Sequence, residues 1–241
     1  MKRYIRIGII ALIIVFVGYL STTVLKGTTT EQKEENKKEE VKEIYQEIAT
    51  STTKAQEDIN IIKTYQEKFN NSDIIGELSI ENTDLKVPVA QSTDNDYYLN
   101  HLLDKSKNSL GSVYLDYRNK TTDRKIIIYG HNSENVYTEF NLLENYLKKS
   151  YYESHSKIVF KTESSEYNYQ IFSVYIAIDD FQHVNLNYDS TGYANHLNWL
   201  KNESIYNTGV EVSRYDDILI LQTCYFDPEG SYLIVAAKKV K

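Results

Sequence analysis

The pattern of hydrophobic and polar positions changes twice along the chain and separates a first apolar run from everything that follows. Residues 7–25 are uncharged and mostly apolar, and Lys2, Arg3 and Arg6 come directly before them. As a helix, this run would span roughly 28 Å, close to the hydrocarbon thickness of a bilayer. Basic residues before such a run favour a cytoplasmic N-terminus. We therefore predict a cytoplasmic tail at residues 1–6 and a transmembrane anchor at residues 7–25.

A cleaved signal peptide is the alternative for this run. The apolar part of a signal peptide is usually shorter, and a small-residue cleavage site of the A-x-A type follows it. Residues 19–25 contain no such site. The pattern favours a retained single-pass anchor in the cell membrane, with the rest of the chain outside the cell.

The second region is polar at first and then takes on helical spacing. Residues 26–42 are rich in threonine, glutamate and lysine, which is typical of a solvated stalk. Apolar residues then recur at helical intervals from about Val41 to Phe69, which predicts two short helices. We assign these N-terminal helices to residues 43–72.

From residue 73 onward the apolar runs become short and extended, which predicts strands. The candidate strands are Ile75–Ile80, Lys86–Val89, Ser112–Leu115, Lys125–Tyr129, Lys157–Thr162, Tyr167–Ile178, Ile218–Thr223 and Tyr232–Val240. Eight short strands with turn residues between them favour a mostly-β domain built as a closed β-barrel, over residues 73–241. Helical spacing also predicts helices at Val136–Leu147 and Thr191–Leu200.

Composition narrows the class of protein. The 241 residues are 41% hydrophobic, enough for a substantial core, and the net charge of −7 argues against binding to nucleic acid. There is one cysteine, Cys224, so no disulfide can form within the chain. Extracellular chains usually pair their cysteines or lack them, so a lone thiol outside the membrane suggests a reactive group. A buried, purely structural cysteine is the alternative.

Two apolar strands end in residues that can work together chemically. Cys224 ends the strand that starts at Asp217, and His131 follows Gly130 at the end of the strand Lys125–Tyr129. A thiol needs a nearby base or cation to become a nucleophile. Strand ends that meet at one rim of a sheet would place the imidazole beside the thiol. The sequence therefore predicts Cys224 as a nucleophile and His131 as its proton-transfer partner.

The other histidines are weaker candidates. His101, His155 and His183 lie in polar loop contexts, and His196 lies on the predicted helix with Trp199, where packing or exposure is expected. Neither an H-E-x-x-H nor a C-x-x-C motif is present, so a metal site is disfavoured. We expect no metal and no organic cofactor.

Several ordered motifs resemble those of sortases, and specifically of class B. They are the segments 75–91, 94–100 and 111–119, Tyr-Gly-His-Asn at 129–132, and Leu-Gln-Thr-Cys at 221–224. The resemblance covers about residues 75–241. It implies an eight-stranded sortase barrel with N-terminal helices, and with a helix between the sixth and seventh strands that belongs to the substrate-binding wall.

The resemblance also implies a reaction and its partners. Sortases cleave a C-terminal sorting signal on exported proteins of Gram-positive bacteria through a cysteine thioacyl intermediate. They then transfer the new carboxyl end to an amine of a cell-wall precursor or peptidoglycan cross-bridge. By analogy with class B, the signal would be of the Asn-Pro-x-Thr type. Gln222 and Thr223 precede the nucleophile, and Asn95 and Leu99 match positions that line the sorting-signal groove, so these four are expected to bind substrate.

The sequence departs from the family at one catalytic position. Class B sortases usually carry an arginine eight positions after the cysteine, and this chain has Tyr232 there. Tyr232 could donate one hydrogen bond to the substrate in place of that arginine, or Arg118 or Arg214 could replace it. Two other functions stay open: a cysteine hydrolase that releases its product to water, and a degenerate, membrane-tethered module that only binds sorting signals.

Overall fold

The computed structural model describes residues 29–50 and 60–240. The α-helices are α1 (residues 29–50), α2 (Ile61–Phe69), α3 (Lys149–Ser154) and α4 (Ser190–Glu203), and 3-10 helices span Glu139–Leu147 and Gln182–Val184. The strands are β1 (Ile74–Ile80), β2 (Lys86–Ala90), β3 (Tyr114–Leu115), β4 (Lys125–Tyr129), β5 (Lys157–Lys161), β6 (Glu166–Ala177), β7 (Ile218–Tyr225) and β8 (Ser231–Val240).

The eight strands close into a barrel in the order β1-β2-β3-β4-β7-β8-β6-β5, with β5 pairing back to β1. The pairs β2–β3 and β4–β7 are parallel, and the other neighbours are antiparallel. Each predicted strand is present, and α4 lies between β6 and β7, so the predicted fold is confirmed. The third strand is shorter than predicted and covers only two residues.

The strands β4 and β7 carry continuous apolar runs, at residues 126–128 and 218–221, because both of their faces are buried there. Ile126 and Leu219 belong to the cluster that fills the barrel, together with every second residue after them. Ile127 and Ile220 point to the opposite face and pack against α4 in a second cluster. Two buried faces explain why these strands show a continuous apolar run and no alternation.

The compact unit that contains the barrel begins at Val41, and residues 29–40, which precede it, are helical. Val41, Tyr45 and Ile48 of α1 are buried in the core of this unit, and the Tyr45 hydroxyl donates to Glu139 Oε1 at 2.9 Å. The predicted boundary between stalk and helices, at residues 42 and 43, therefore falls inside α1. The predicted membrane segment at residues 7–25 lies outside the described residues, and no helix within them is long and apolar enough to cross a bilayer.

The helix predicted at Val136–Leu147 differs from the structure in type and start. It is a 3-10 helix that begins at Glu139, after Thr138, whose backbone N–H and hydroxyl both donate to Asn141 Oδ1. Its buried residues Phe140, Leu143 and Tyr146 are spaced by three. A 3-10 helix has three residues per turn, so this spacing places all three side chains on one face.

Candidate active site

The two residues predicted to react lie at the same end of the parallel pair β4–β7. Tyr129 is opposite Gln222 in the register of this pair, and the Gly130 N–H donates to the Gln222 carbonyl at 3.2 Å. Continuing this register by two residues places His131 beside Cys224. The Asn132 side chain donates to the Cys224 carbonyl at 3.0 Å, which ties the residue after the histidine directly to the cysteine.

Cys224 is half-buried and forms no disulfide. Burial raises the pKa of its thiol, so the resting group at neutral pH is the thiol. A thiol in this state needs a proton acceptor before it can attack a carbonyl. Among the described residues, no group of three or more His, Cys, Asp or Glu side chains is arranged to hold a metal ion.

The His131 imidazole is held by a loop from the other side of the site. Its Nε2 lies 2.7 Å from the Leu99 carbonyl oxygen, and because a carbonyl only accepts, Nε2 carries a proton. Gly111 packs against the ring: a Cβ added there would lie 2.9 Å from His131 Cδ2 and 2.6 Å from the Leu99 oxygen. Gly111 also has a φ of +52°, which favours glycine. The loop thus fixes the position of the ring by backbone groups.

Asn132 is a positioning residue that the sequence pattern did not single out. Its side chain is 5% exposed, and its amide nitrogen also donates to Glu144 Oε1 at 2.5 Å. The two hydrogen bonds join the loop after β4, the 3-10 helix and the end of β7. They hold the backbone of the cysteine in place from behind the site.

Thr223 and Gln222 are both engaged within the protein. Thr223 is 2% exposed, and its hydroxyl donates to the Gly130 carbonyl at 2.7 Å, so it holds β7 against the histidine strand. Gln222 Oε1 lies 2.9 Å from His183 Nε2, which connects β7 to the loop between β6 and α4. These contacts favour a structural role for both side chains. His183 has polar neighbours in the sequence, as noted above, but its side chain is fully buried.

Tyr232 lies directly opposite Cys224 in the antiparallel pair β7–β8. Side chains in such a pair lie on the same face of the sheet and contact each other. The Phe181 ring, from the loop after β6, packs edge-to-face on Tyr232 at a centroid distance of 5.7 Å. Phe181 is 42% exposed, so this aromatic pair on the strand beside Cys224 is partly open to solvent.

The predicted groove residues Asn95 and Leu99 lie on the loop between β2 and β3. Asn95 donates to Asp116 Oδ2 at 3.2 Å and accepts from the Tyr117 N–H at 3.0 Å. Leu99 has a side chain that is 36% exposed, and its carbonyl is the one that binds His131. Leu99 therefore binds the histidine through its backbone and exposes part of its side chain, whereas the Asn95 amide supports Asp116.

The buried carboxylate of Asp116 accepts hydrogen bonds from several side chains beside the predicted groove residues. Arg118 donates to both of its oxygens, at 2.9 and 2.7 Å, and the Tyr129 hydroxyl donates at 2.8 Å. Burial alone would raise the pKa of Asp116, but the hydrogen bonds from Arg118 and Tyr129 outweigh burial and lower it. Arg118 also donates to the Val184 carbonyl at 3.0 Å, so its guanidinium is engaged in supporting the loop above the groove.

Comparison with known proteins identifies the family. The sortase domain model matches residues 78–240 of this chain. The chain belongs to the sortase family. Sortase B of Staphylococcus aureus is 31% identical over 248 aligned positions, which cover 100% of this chain and 98% of that protein. Sortase B of Listeria monocytogenes is 36% identical over 165 residues, which cover 67% of this chain and 66% of the Listeria protein.

Solved structures agree with this assignment. The S. aureus sortase B–substrate complex superposes with a TM-score of 0.75 at 29% identity, over 86% of this chain and 98% of that one. A sortase B of Clostridium perfringens superposes with a TM-score of 0.68 at 27% identity, over 74% of this chain and 99% of that one. The relationship to class B sortases expected from the motifs is therefore confirmed, and so is the sortase fold.

Proposed function

We propose that this sortase acts as a transpeptidase through Cys224 as nucleophile and His131 as proton-transfer residue. The observation that carries the proposal is the shared strand end: β4 and β7 are paired in parallel up to Tyr129 and Gln222, two residues before each reactive group, and Asn132 bonds the cysteine backbone. The half-exposed thiol and the adjacent groove leave room for a peptide.

The reaction follows from the chemistry of the two groups. His131 takes the proton of the Cys224 thiol while the sulfur attacks the scissile carbonyl of the sorting signal. The protonated imidazole then gives this proton to the leaving amine as the C–N bond breaks, which leaves a thioester on Cys224. An incoming amine attacks the thioester and loses a proton to His131. The sulfur departs as the new amide forms, and the thiol is regenerated.

The substrates proposed for this chain are an exported protein with a C-terminal sorting signal and an amine of the cell wall. S. aureus sortase B has been solved with a substrate, and a sortase B has been solved with triglycine, which supports a peptide and an amine as the two reactants. The groove beside Cys224 offers Leu99, Phe181 and Tyr232 as apolar and aromatic contacts. We propose an Asn-Pro-x-Thr type of signal for this groove.

We also propose that the chain is an envelope protein held by residues 7–25. In this arrangement residues 1–6 lie in the cytoplasm, residues 26–40 form a stalk, and α1 from Val41 onward and α2 lead into the catalytic domain at 73–241 outside the cell. The uncharged run and the basic residues before it support this topology.

We propose that Tyr232 takes part in substrate binding at the position where the family has arginine. Its cross-strand pairing with Cys224 supports contact with the scissile carbonyl. Arg118 is engaged by the buried Asp116, and freeing it would leave that carboxylate unpaired. Arg214 precedes β7, and the six residue steps from Ile218 to Cys224 along this strand span roughly 20 Å. These positions favour Tyr232 over either arginine.

The test of the transpeptidase assignment is the fate of the thioester. Purified enzyme is incubated with a sorting peptide, with and without triglycine, and the products are separated by mass. We expect a peptide–triglycine amide as the main product when the amine is present. Free acid as the main product in both reactions would instead indicate a cysteine hydrolase, and the absence of any cleavage would indicate a module that only binds peptides.

A further inference from the structure

Tyr114 carries an uncommitted hydroxyl on the face of the sheet that holds Cys224. We propose that this hydroxyl donates a hydrogen bond to the substrate carbonyl that Cys224 attacks, and that with Tyr232 it stabilises the negative charge that develops there. This inference rests on the proposed function and adds a residue to it. Together the two tyrosine hydroxyls would supply the hydrogen bonds that an arginine donates in related enzymes.

The strand register places the side chains concerned on one face. Tyr114 is opposite Tyr129, Tyr129 is opposite Gln222, and Cys224 is opposite Tyr232. Paired residues share a face, and so do residues two apart on one strand, such as Gln222 and Cys224. Tyr114 and Tyr232 therefore approach the cysteine from opposite sides on the same surface.

The distances suit a long side chain. Two strand spacings separate β3 from β7, about 10 Å, and the offset along the strand from Gln222 to Cys224 is about 7 Å. A tyrosine side chain covers a large part of such a separation, and a bound peptide carbonyl occupies the rest. The electrostatic surroundings agree: burial first, then the negative charges of Asp116 and Asp96, raise the pKa of Tyr114. Its hydroxyl therefore remains protonated and able to donate.

The ring of Tyr114 is fixed while its hydroxyl is not. The residue is only 5% exposed, and its ring packs at 5.3 Å from that of Tyr129, whose own hydroxyl is held by Asp116. Within the described residues, the Tyr114 hydroxyl has no hydrogen-bond partner. Unlike the Tyr175 hydroxyl, which is fully buried and also has no partner there, the Tyr114 hydroxyl remains accessible to water. A donor held in place by its ring, with no partner to give up, can stabilise a developing oxyanion without reorganisation.

Positive charge is scarce at this end of the sheet. Arg118, Arg124 and Arg214 are the arginines among residues 29–50 and 60–240. Arg118 is bonded to Asp116, and Arg124 pairs with Asp217 at the opposite end of β7. Arg214 lies beyond that same end, where it contacts Tyr215. No arginine of the described residues is therefore placed to serve an oxyanion next to Cys224, whereas two phenols face the position.

The test compares Tyr114→Phe with a matched control, Tyr169→Phe. Tyr169 is also a buried strand tyrosine, 4% exposed and without a hydrogen-bond partner among the described residues, but it pairs with Lys239 at the far end of β8. The rate of thioester formation is measured at saturating peptide, with the sorting peptide to which the native enzyme forms its adduct. We expect Tyr114→Phe to lower this rate by about 100-fold, with KM and the unfolding midpoint close to those of Tyr169→Phe.

The outcomes separate this inference from the proposed function. A rate for Tyr114→Phe within twofold of the control, or a change in KM alone, would overturn the role of the hydroxyl while Cys224 still formed its adduct. A rate loss that matched a loss of folded protein would overturn it as well. In the double variant Tyr114→Phe/Tyr232→Phe we expect a loss smaller than the product of the single losses, because both hydroxyls act on one oxygen.

Discussion

The two ends of the parallel strands β4 and β7 differ in how far their polar side chains are engaged in hydrogen bonds and ion pairs within the protein. We call the end with Arg124, Lys125 and Asp217 the closed end, and the end with His131 and Cys224 the open end. At the closed end Arg124 pairs with Asp217 at 3.4 Å, and the buried Lys125 ammonium lies 2.7 Å from both the Asn185 carbonyl and His196 Nε2.

The open end has the opposite character. Cys224 is half-buried, and the Tyr114 hydroxyl has no hydrogen-bond partner within residues 29–50 and 60–240, whereas His131 is positioned by a loop carbonyl. The same two strands therefore supply a fixed support at one end and available donors at the other. A rigid sheet can hold side chains in position at its edge while their hydrogen-bonding groups stay free for a substrate. Catalysis requires such an arrangement.

The contact between Gly111 and His131 gives the largest expected effect. Gly111 and Gly209 both have positive φ, +52° and +74°, so alanine costs about 1–2 kcal/mol of stability at either position. Only at Gly111 would the new methyl also press on the Leu99 carbonyl and on the imidazole that it binds, which adds to the cost in stability, since a Cβ at Gly209 meets nothing within 4 Å. We expect Gly111→Ala to lower kcat/KM by about 100-fold and Gly209→Ala to change it little. Equal losses in the two variants would show that the loop does not position His131.

The pH dependence of the unfolding free energy tests whether His196, at the closed end, must stay neutral in the folded protein. Burial, and then the charge of Lys125, lower the pKa of His196 to about 3 from an ordinary value of 6.5. Below pH 6.5 the unfolded chain takes up a proton that the folded protein does not, so stability falls with falling pH. We expect this histidine to lower the unfolding free energy by about 2 kcal/mol between pH 6.5 and 5, measured by urea denaturation.

The native protein is the reference for this test. In His196→Gln the slope of unfolding free energy against pH should be smaller than in the native protein. An unchanged slope in His196→Gln would mean that the closed end tolerates an added charge beside Lys125.

Tyr193 is a tyrosine at the closed end that can be compared with Tyr114 at the open end. Its hydroxyl lies 3.2 Å from the Arg124 carbonyl and 3.0 Å from the Asp216 carbonyl. Removing it in Tyr193→Phe leaves these carbonyls without that donor, and we expect a loss of about 1.5 kcal/mol in unfolding free energy with unchanged turnover. Reduced turnover at native stability would contradict the division between a supporting and a reactive end.

Tyr232→Arg gives the smallest expected effect. An arginine opposite Cys224 would restore the charge and the planar fork of donors used by the family, and we expect about tenfold faster thioester formation. Tyr232→Lys, which adds charge without the fork, should gain less. If the arginine variant is no faster than the native enzyme, the groove is already complete with its tyrosines.

The sequence predicted the barrel, and it predicted that Cys224 and His131 follow neighbouring strands, because both features depend on local patterns. The strands are marked by short apolar runs, and Cys224 and His131 each end such a run. The 3-10 helix could also have been predicted, since Phe140, Leu143 and Tyr146 recur every three residues.

The groups that position the pair could not be predicted in the same way. The Leu99 carbonyl is 32 positions from His131 along the chain, and the Asn132 side chain is 92 positions from Cys224. These contacts depend on how loops return to the barrel, and the residue types carry no signal for it. The burial of His183 was missed for the same reason: its neighbours in sequence are polar, and its partner Gln222 belongs to another strand.

The most direct test of the account is the intact mass of the enzyme after brief incubation with a sorting peptide and no amine. We expect a mass increase equal to the N-terminal fragment of the peptide, located on Cys224 by proteolytic mapping and absent in Cys224→Ala. His131→Ala should keep the fold and form this adduct far more slowly. An adduct that persists in Cys224→Ala, or peptide cleavage at the native rate by that variant, would contradict the central claim.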